Sequence, residues 1–154
     1  MFPDIPKPRT LDRSRMEEDE VSDYRVVFVT VPDLEEGRKI ALVLLEKKLV
    51  ACVSILPGVE SLYWWQGAIE KSRECLLLIK TIWSMAAELT ETIKKLHSYS
   101  VPEIVFCPIL EGNEDYLRWI SETLLRHNNS IDDKTSSDGR RELFARSDKG
   151  YFVG

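Results

Sequence analysis

The segment Cys75-Leu76-Leu77-Leu78-Ile79 decides the fold predicted for this chain. Successive side chains of a strand point to opposite faces of a sheet, and here both sets are apolar, so both faces of this strand are expected to be buried. Cys75, Leu77 and Ile79 would face the helices of the chain. Leu76 and Leu78 would need another cover. We expect this cover to be a second copy of the protein, because soluble monomers rarely expose a large apolar patch.

Strands and helices alternate on both sides of this segment. β-Branched and aromatic residues, together with turn signals, predict four strands at residues 24–31, 51–66, 68–81 and 104–109. Pro57-Gly58 predicts a bend within the long second strand, because proline cannot donate to a sheet ladder, and Gln66-Gly67 supplies a hairpin turn. Three helices are expected to begin after caps at Asp33, Ser84 and Asn113.

The order of these elements is βαββαβ followed by one more helix. This order predicts an α+β, ferredoxin-like fold whose first two helices lie on one face of a four-stranded sheet. Residues 23–127 would form this domain. Residues 1–22 and 128–154 are rich in proline, charged or other polar residues and are predicted to be disordered tails. The weak apolar stretches 143–144 and 151–153 leave a loosely docked C-terminal tail as the alternative.

Charge and composition exclude several classes of protein. The 154 residues carry a formal net charge of −5, whereas nucleic-acid-binding domains usually show a clustered excess of Lys and Arg. The longest apolar run, residues 40–45, is far shorter than the roughly 20 residues that a membrane helix needs, and residues 1–10 lack the apolar core of a signal peptide. Three cysteines without metal or disulfide spacing fit thiols in a reducing compartment. We therefore expect a cytoplasmic protein with no membrane insertion and no nucleic-acid partner.

A series of short motifs resembles the CutA, or divalent-cation tolerance, family over about residues 26–125. The matching positions are Ala51-Cys52-Val53, Pro57-Gly58, Ser61, Tyr63, Trp65, Gly67, Ile69-Glu70, Glu74, Lys80-Thr81, His97, Tyr99, Pro102-Glu103-Ile104, Tyr116-Leu117 and Trp119. The resemblance implies a ferredoxin-like homotrimer whose sheets pack around a threefold axis. It also implies a role in tolerance of copper and other divalent cations and, for animal members, acetylcholinesterase-related partners.

Seven residues form the candidate ligand cleft: Tyr63, Trp65, Glu70, Lys80, His97, Tyr99 and Glu103. Tyr63 and Trp65 share one strand face, whereas Trp64 points the other way. The two aromatic residues would either wall a cleft or serve as hairpin packing and interface anchors, a role in which Tyr and Trp are common. His97 would either be a ligand or proton acceptor near Glu103, or simply be hydrogen-bonded.

His97 is the weak candidate for a metal ligand in this cleft. In bacterial members of the resembled family, the proposed copper ligands are a Cys on the first strand and two adjacent His residues; these positions fall on Val29, Leu96 and His97. One imidazole lacks the thiolate and the paired imidazole that select copper, so we expect weak binding of copper or another divalent cation and no certain cofactor. Ser98 stands where family members commonly carry proline, which predicts a less stiff loop.

The predicted function is that of a binding or scaffold module in divalent-cation tolerance, not an enzyme. The sequence shows no Ser-His-Asp set, glycine-rich phosphate loop or zinc-ligand cluster. Two alternatives stay open. One is an enzyme with a composite site between subunits that uses Lys80, His97 and Glu103, and the other is a trimeric small-molecule sensor. An RNA-binding domain is disfavoured, because the basic-aromatic pattern of such domains is absent and the charge is negative.

Overall fold

A four-stranded antiparallel sheet is the centre of the structure, a computed structural model that describes residues 22–125. The strands are β1 (Tyr24–Val31), β2 (Cys52–Trp65), β3 (Ala68–Ile82) and β4 (Val105–Pro108), in the order β2-β3-β1-β4. The helices are α1 (Leu34–Glu46), α2 (Ala86–Leu96) and α3 (Glu114–Leu125). This is the predicted ferredoxin-like arrangement with an additional helix. The predicted tails, residues 1–22 and 128–154, lie outside the described residues apart from Ser22. Among the helices described, none is long and apolar enough to cross a membrane.

One face of the sheet, which we call the helix face, packs against α1 and α2. Cys75, Leu77 and Ile79 of β3 are buried on this face, as their alternation predicted. The buried helix residues that meet them include Ile40 and Leu44 of α1 and Leu89 and Ile93 of α2, in one continuous core. The periodic apolar stripes of the two amphipathic helices therefore account for the burial of the helix face.

The opposite face, which we call the open face, is covered only at one end of the sheet. There, α3 places the buried side chains of Ile120 and Leu124 against Ile82 of β3. The prediction placed the first two helices on one face, which is confirmed, and did not place α3, which lies on the opposite face at this end. Leu76 and Leu78 lie on the open face beyond α3 and are half-buried in the single chain. Their cross-strand neighbours on β1 are Thr30 and Phe28, so the uncovered area extends over at least two strands.

Two of the three predicted helix caps are confirmed. The Asp33 carboxylate accepts the Glu36 N–H at 2.8 Å, and the Asn113 side chain accepts the Asp115 N–H at 3.1 Å. The prediction of a Ser84 cap is wrong. A short 3-10 turn, Trp83–Met85, precedes α2, so Ser84 lies inside this turn and the helix starts at Ala86 without a side-chain cap.

Beyond the end of β1, strands β2 and β3 continue as a two-stranded hairpin arm, residues 59–74. Val31 of β1 pairs with Cys75, so the arm has no third strand. A bulge separates the arm from the sheet at the predicted Pro57-Gly58 position, where Gly58 has a φ of +75°. Gln66 and Gly67 both have positive φ, as in the hairpin turns that match the natural twist of paired strands. Large apolar side chains are exposed on both sides of the arm: Leu62, Trp64 and Ile69 on one, Tyr63 and Trp65 on the other.

Neighbouring leucines at the end of α3 test the packing of this helix on the open face. Leu124 is 1% exposed and Leu125 is 49% exposed. Leu124→Ala should lower the free energy of unfolding by about 2–5 kcal/mol, because it leaves a cavity against the sheet. Leu125→Ala should change it by less than about 0.5 kcal/mol. Denaturant unfolding at one protein concentration measures both, and equal losses would contradict the packing.

Candidate functional site

The site lies where β1 ends and the hairpin arm leaves the sheet. The loop that follows α2 runs past this end, and its side chains contact both strands. His97 Nε2 lies 2.7 Å from the Thr30 carbonyl oxygen of β1. The Tyr99 hydroxyl donates a hydrogen bond of 3.0 Å to Glu74 Oε2 of β3. The loop therefore places one imidazole, one phenol and one carboxylate at the point where the ladder between β1 and β3 stops.

His97 is a buried, fully hydrogen-bonded side chain. Its Nδ1 accepts the Tyr99 N–H at 3.0 Å, so the proton of the neutral ring lies on Nε2, which donates to the Thr30 carbonyl. The side chain has no exposed surface. Of the two roles that the sequence left open for His97, its geometry in the single chain supports the hydrogen-bonded one.

Glu36 of α1 ties the same loop to the helix layer. Its Oε1 accepts the Ser98 N–H at 3.2 Å and its Oε2 accepts the Ser98 hydroxyl at 3.0 Å. Proline could make neither contact, because it lacks both the N–H and the hydroxyl. The serine therefore tethers a loop that the loss of proline was expected to loosen.

Tyr99 is the side chain of the site whose pKa departs clearly from its ordinary value. Burial raises the pKa of Tyr99 from 10.0 to about 12, and the hydrogen bond to the Glu74 carboxylate and the charges of Glu74, Tyr63 and Glu36 act in the same direction. All of these groups oppose the formation of a phenolate, because each either removes water or adds negative charge. The surroundings of Tyr99 are therefore electronegative and favour a positively charged partner.

The structure brings together only part of the predicted cleft. His97 and Tyr99 are in contact, with ring centroids 4.8 Å apart, and Tyr63 lies close enough to act electrostatically on Tyr99. Lys80 lies six residues along β3 from Glu74, about 20 Å at the rise of a strand, and its Nζ donates to the Ser54 hydroxyl at 3.0 Å. Glu70 pairs across the hairpin arm with Tyr63, Trp65 lies nearer the tip of the arm, and Glu103 is exposed in the loop before β4.

Three contributors to the site were not predicted as site residues. Glu36 was recognised only as part of a local capping motif, and its contact with Ser98, 62 residues away, has no local signal. The Thr30 carbonyl is a backbone group and leaves no mark in the sequence. Glu74 carried a usable signal, because it is the charged residue at the end of an apolar strand and belongs to the motifs of the resembled family.

The donor set of this site does not fit copper. Within residues 22–125, no group of three or more His, Cys, Asp or Glu side chains is arranged to hold a metal ion. A metal bound to Nδ1 of His97 would have to displace the Tyr99 N–H. A metal bound to Nε2 would have to replace its proton and break its hydrogen bond to the Thr30 carbonyl. Val29, at the position where the family resemblance implied a thiolate, is a fully buried core residue. The hard oxygen atoms of Glu74 and Tyr99 are poor ligands for a soft metal.

The fold and the site define a ferredoxin-like α+β domain with an arm and a histidine-fixed loop, and comparison with known proteins places it in a family. A sequence profile described as "CutA1 divalent ion tolerance protein" matches residues 25–123. The chain belongs to this CutA1 family.

Relatives and solved structures agree with this assignment. The Divalent-cation tolerance protein CutA of Thermus thermophilus is 50% identical over 97 residues, which are 63% of this chain and 94% of that protein. The rice protein named CutA 1, chloroplastic, is 47% identical over 98 residues, which are 64% of this chain; the chain spans only 55% of that relative. A solved structure of the Thermus protein has a TM-score of 0.64 at 49% identity and covers 65% of this chain and 97% of its own.

The pKa of Tyr99 tests the geometry of the site. Glu74→Gln should lower this pKa, because it removes the negative charge that accepts the Tyr99 hydroxyl. Glu36→Gln is the matched control and should lower it less, because Glu36 is the weakest of the contributing charges. Ultraviolet titration of tyrosinate measures the shift, and the Tyr99→Phe difference spectrum assigns it. Equal shifts in the two variants would contradict the hydrogen bond.

The same tyrosine makes stability depend on alkaline pH. The folded pKa of about 12 exceeds the unfolded value of 10.0, so the contribution of Tyr99 is complete below pH 10 and is lost as the pH rises toward 12. The free energy of unfolding should therefore fall less steeply in Tyr99→Phe than in the unmodified chain over this window. Identical slopes would show that the phenol ionises equally well in the folded and unfolded states.

Proposed function

We propose that this protein is a homotrimer that contributes to divalent-cation tolerance as a binding or scaffold module rather than as an enzyme. The observation that carries the proposal is the uncovered part of the open face around Leu76 and Leu78. α3 leaves these side chains half-buried, and no other described element of the chain covers them. On the same side as this face, the hairpin arm adds the exposed aromatic residues Tyr63 and Trp65.

The energetics of this surface favour association. Complete burial of one leucine side chain is worth roughly 1.5–3 kcal/mol. A cyclic trimer contains three copies of each such residue, and all three would be buried. The arm projects from the sheet and can reach a neighbouring subunit, whereas in a single chain its aromatic residues remain in water. The sheet packing around a threefold axis that the family resemblance implies would cover both features.

The role in cation tolerance rests on the family and on the charge of the site. Relatives from Thermus thermophilus and Archaeoglobus fulgidus carry the name divalent-cation tolerance protein. In this chain, Glu36 and Glu74 make the surroundings of Tyr99 electronegative. Such a site attracts cations weakly through its oxygen atoms, so the proposed role is binding or scaffolding without a resident copper ion.

A small-molecule sensor is the second candidate function. Tyr63 on the arm lies on the same side as Glu74 and contributes to the electrostatic surroundings of Tyr99, on a surface where a neighbouring subunit would pack. A ligand held between subunits would therefore meet aromatic walls and the Glu74 carboxylate. A thermal-shift screen of metabolites against the intact oligomer tests this candidate. The composite enzyme that uses Lys80, His97 and Glu103 has weaker support, since both ring nitrogens of His97 are already hydrogen-bonded and Glu103 is exposed in the loop before β4. The cytoplasmic location and acetylcholinesterase-related partners stay predictions.

The mass in solution tests the trimer. Light scattering should give about three times the chain mass of 17.8 kDa at micromolar concentration. Leu78→Asp should shift the mass to that of the monomer or abolish soluble expression, because it places an unpaired charge in the contact. Leu42→Asp is the matched control, since Leu42 is 58% exposed on α1, away from the open face. A stable wild-type monomer would refute the trimer.

Copper titration tests whether the tolerance role involves His97. With a competing chelator present, the protein should bind Cu(II) only weakly, and His97→Ala should leave the affinity unchanged, because both ring nitrogens are already hydrogen-bonded. Any residual affinity, from groups such as the His127 imidazole, should fall at acidic pH, since imidazole must be neutral to coordinate. Circular dichroism of the variant controls for loss of fold. Tight binding of one ion per chain that disappears in the variant would instead make His97 a metal ligand.

A further inference from the structure

Two charged side chains of opposite sign lie on the open face without an oppositely charged partner in the described part of the chain. Glu74 and Lys80 belong to the same strand, β3, and an even number of residues separates them, so both side chains point to the same face. Leu76 and Leu78 lie between them. The apolar row is therefore bounded by a carboxylate at one end and an ammonium group at the other.

Glu74 is the more deeply buried of the two. Its residue is only 7% exposed, and the hydrogen bond that it accepts comes from the uncharged Tyr99 hydroxyl. The ion pairs Lys71–Glu60 on the arm and Arg118–Asp115 on α3 do not include it. A buried carboxylate without a cation is costly, and the cost is reduced when a positive group is brought to it.

Lys80 is half-buried, and its ammonium group likewise has no carboxylate partner within the described part of the chain. Its Nζ donates to the Ser54 hydroxyl at 3.0 Å and to the Leu78 carbonyl oxygen at 3.4 Å, both neutral acceptors. Its cross-strand neighbours, Val26 and Cys52, provide no carboxylate. The two hydrogen bonds hold the ammonium group near the sheet, at the end of the open face that α3 approaches.

The two groups cannot neutralise each other within one chain. Six residues of extended strand separate them by about 20 Å, which is much longer than a lysine side chain. In a cyclic trimer, however, each contact joins two different patches of the same surface, because the interface is heterologous. One end of the Leu76–Leu78 row in one copy can then lie against the other end of the row in the next copy.

We propose that Lys80 of each copy pairs with Glu74 of the neighbouring copy across the open face. This inference rests on the proposed trimer and adds the charges that fix its register. The pairing supplies the positive group that the electronegative Tyr99 site lacks, so the candidate site is completed only in the assembly. Buried charge pairs at an interface select one orientation, since any other register leaves both charges desolvated and unpaired.

Charge reversal tests this pairing. Glu74→Lys would bring two lysines together at every contact, and Lys80→Glu would bring two glutamates together. Each variant alone should assemble at least about thirtyfold more weakly than the unmodified chain. In the double variant Glu74→Lys/Lys80→Glu, the two charges are exchanged and every contact is complementary again. In a mixture of the two single variants, contacts between unlike chains are complementary in both directions, whereas a ring of three chains keeps at least one contact between like chains.

The expected result is that the double variant recovers the mass of the trimer and that the mixture recovers part of it. Reversal of the exposed Glu60 and Lys71 pair on the other side of the arm is the matched control and should change assembly by less than about threefold. If the unmodified chain is trimeric but neither the double variant nor the mixture recovers assembly, the pairing is wrong and the proposed trimer stands. If the unmodified chain is monomeric, both are wrong.

Neutral variants keep the test decisive if charge reversal prevents folding. Glu74→Gln and Lys80→Gln retain similar volumes and remove one charge each. If the groups pair, the fold-loss in the association constant of the double variant should be smaller than the product of the fold-losses of the two single variants. The reason is that the second substitution removes a charge already left without a partner. Independent losses would overturn the pairing.

Added methylammonium tests whether the Glu74 site binds a free amine instead. If it stabilises the unmodified trimer, and this stabilisation is lost in Glu74→Gln and retained in Lys80→Gln, the site binds a free amine and the pairing is also overturned.

Discussion

The apolar character of both faces of β3 is the constraint on which the rest of the structure depends. This strand of 15 residues pairs with β2 along nearly its whole length and with β1 over its second half. Its odd-numbered side chains Cys75, Leu77 and Ile79 require a helix layer, which α1 and α2 supply. Its even-numbered side chains require a second layer, and α3 supplies this only near Ile82. The unfilled remainder makes a contact between chains energetically favourable.

The loop after α2 illustrates how a histidine can serve structure rather than metal binding. His97 connects the last turn of α2 to the end of β1 through the Thr30 carbonyl, and it accepts the N–H of Tyr99. Ser98 joins the same loop to α1 through Glu36. The two contacts of His97 satisfy ring nitrogens that would otherwise be buried without a partner, whereas the Ser98 contacts lie at the surface. Together they hold the Tyr99 hydroxyl against Glu74, so the chemistry of the site depends on the rigidity of the loop.

The sequence predicted the features that depend on local patterns. Strand β1, the bend at Pro57-Gly58 and the turn at Gln66-Gly67 follow from residue types whose backbone preferences are strong. The Ser84 cap failed because a 3-10 turn competes with the helix start, and propensity alone does not distinguish the two. The position of α3 was missed because amphipathicity shows that a helix has an apolar face but not which face of a sheet it covers.

The candidate site was only partly predictable for a related reason. Motif positions such as His97 and Tyr99 were found. The Thr30 carbonyl that His97 contacts and the Glu36 side chain that holds Ser98 each lie more than 60 residues from their partner in the chain, and no local pattern records such contacts. The predicted cleft also combined Lys80 with residues that the single chain holds about 20 Å away. A motif contains the residues that a site needs without stating which copy supplies each one. In this chain, the apolar row and the two unmatched charges at its ends lie on the same surface, so one contact between copies would satisfy both.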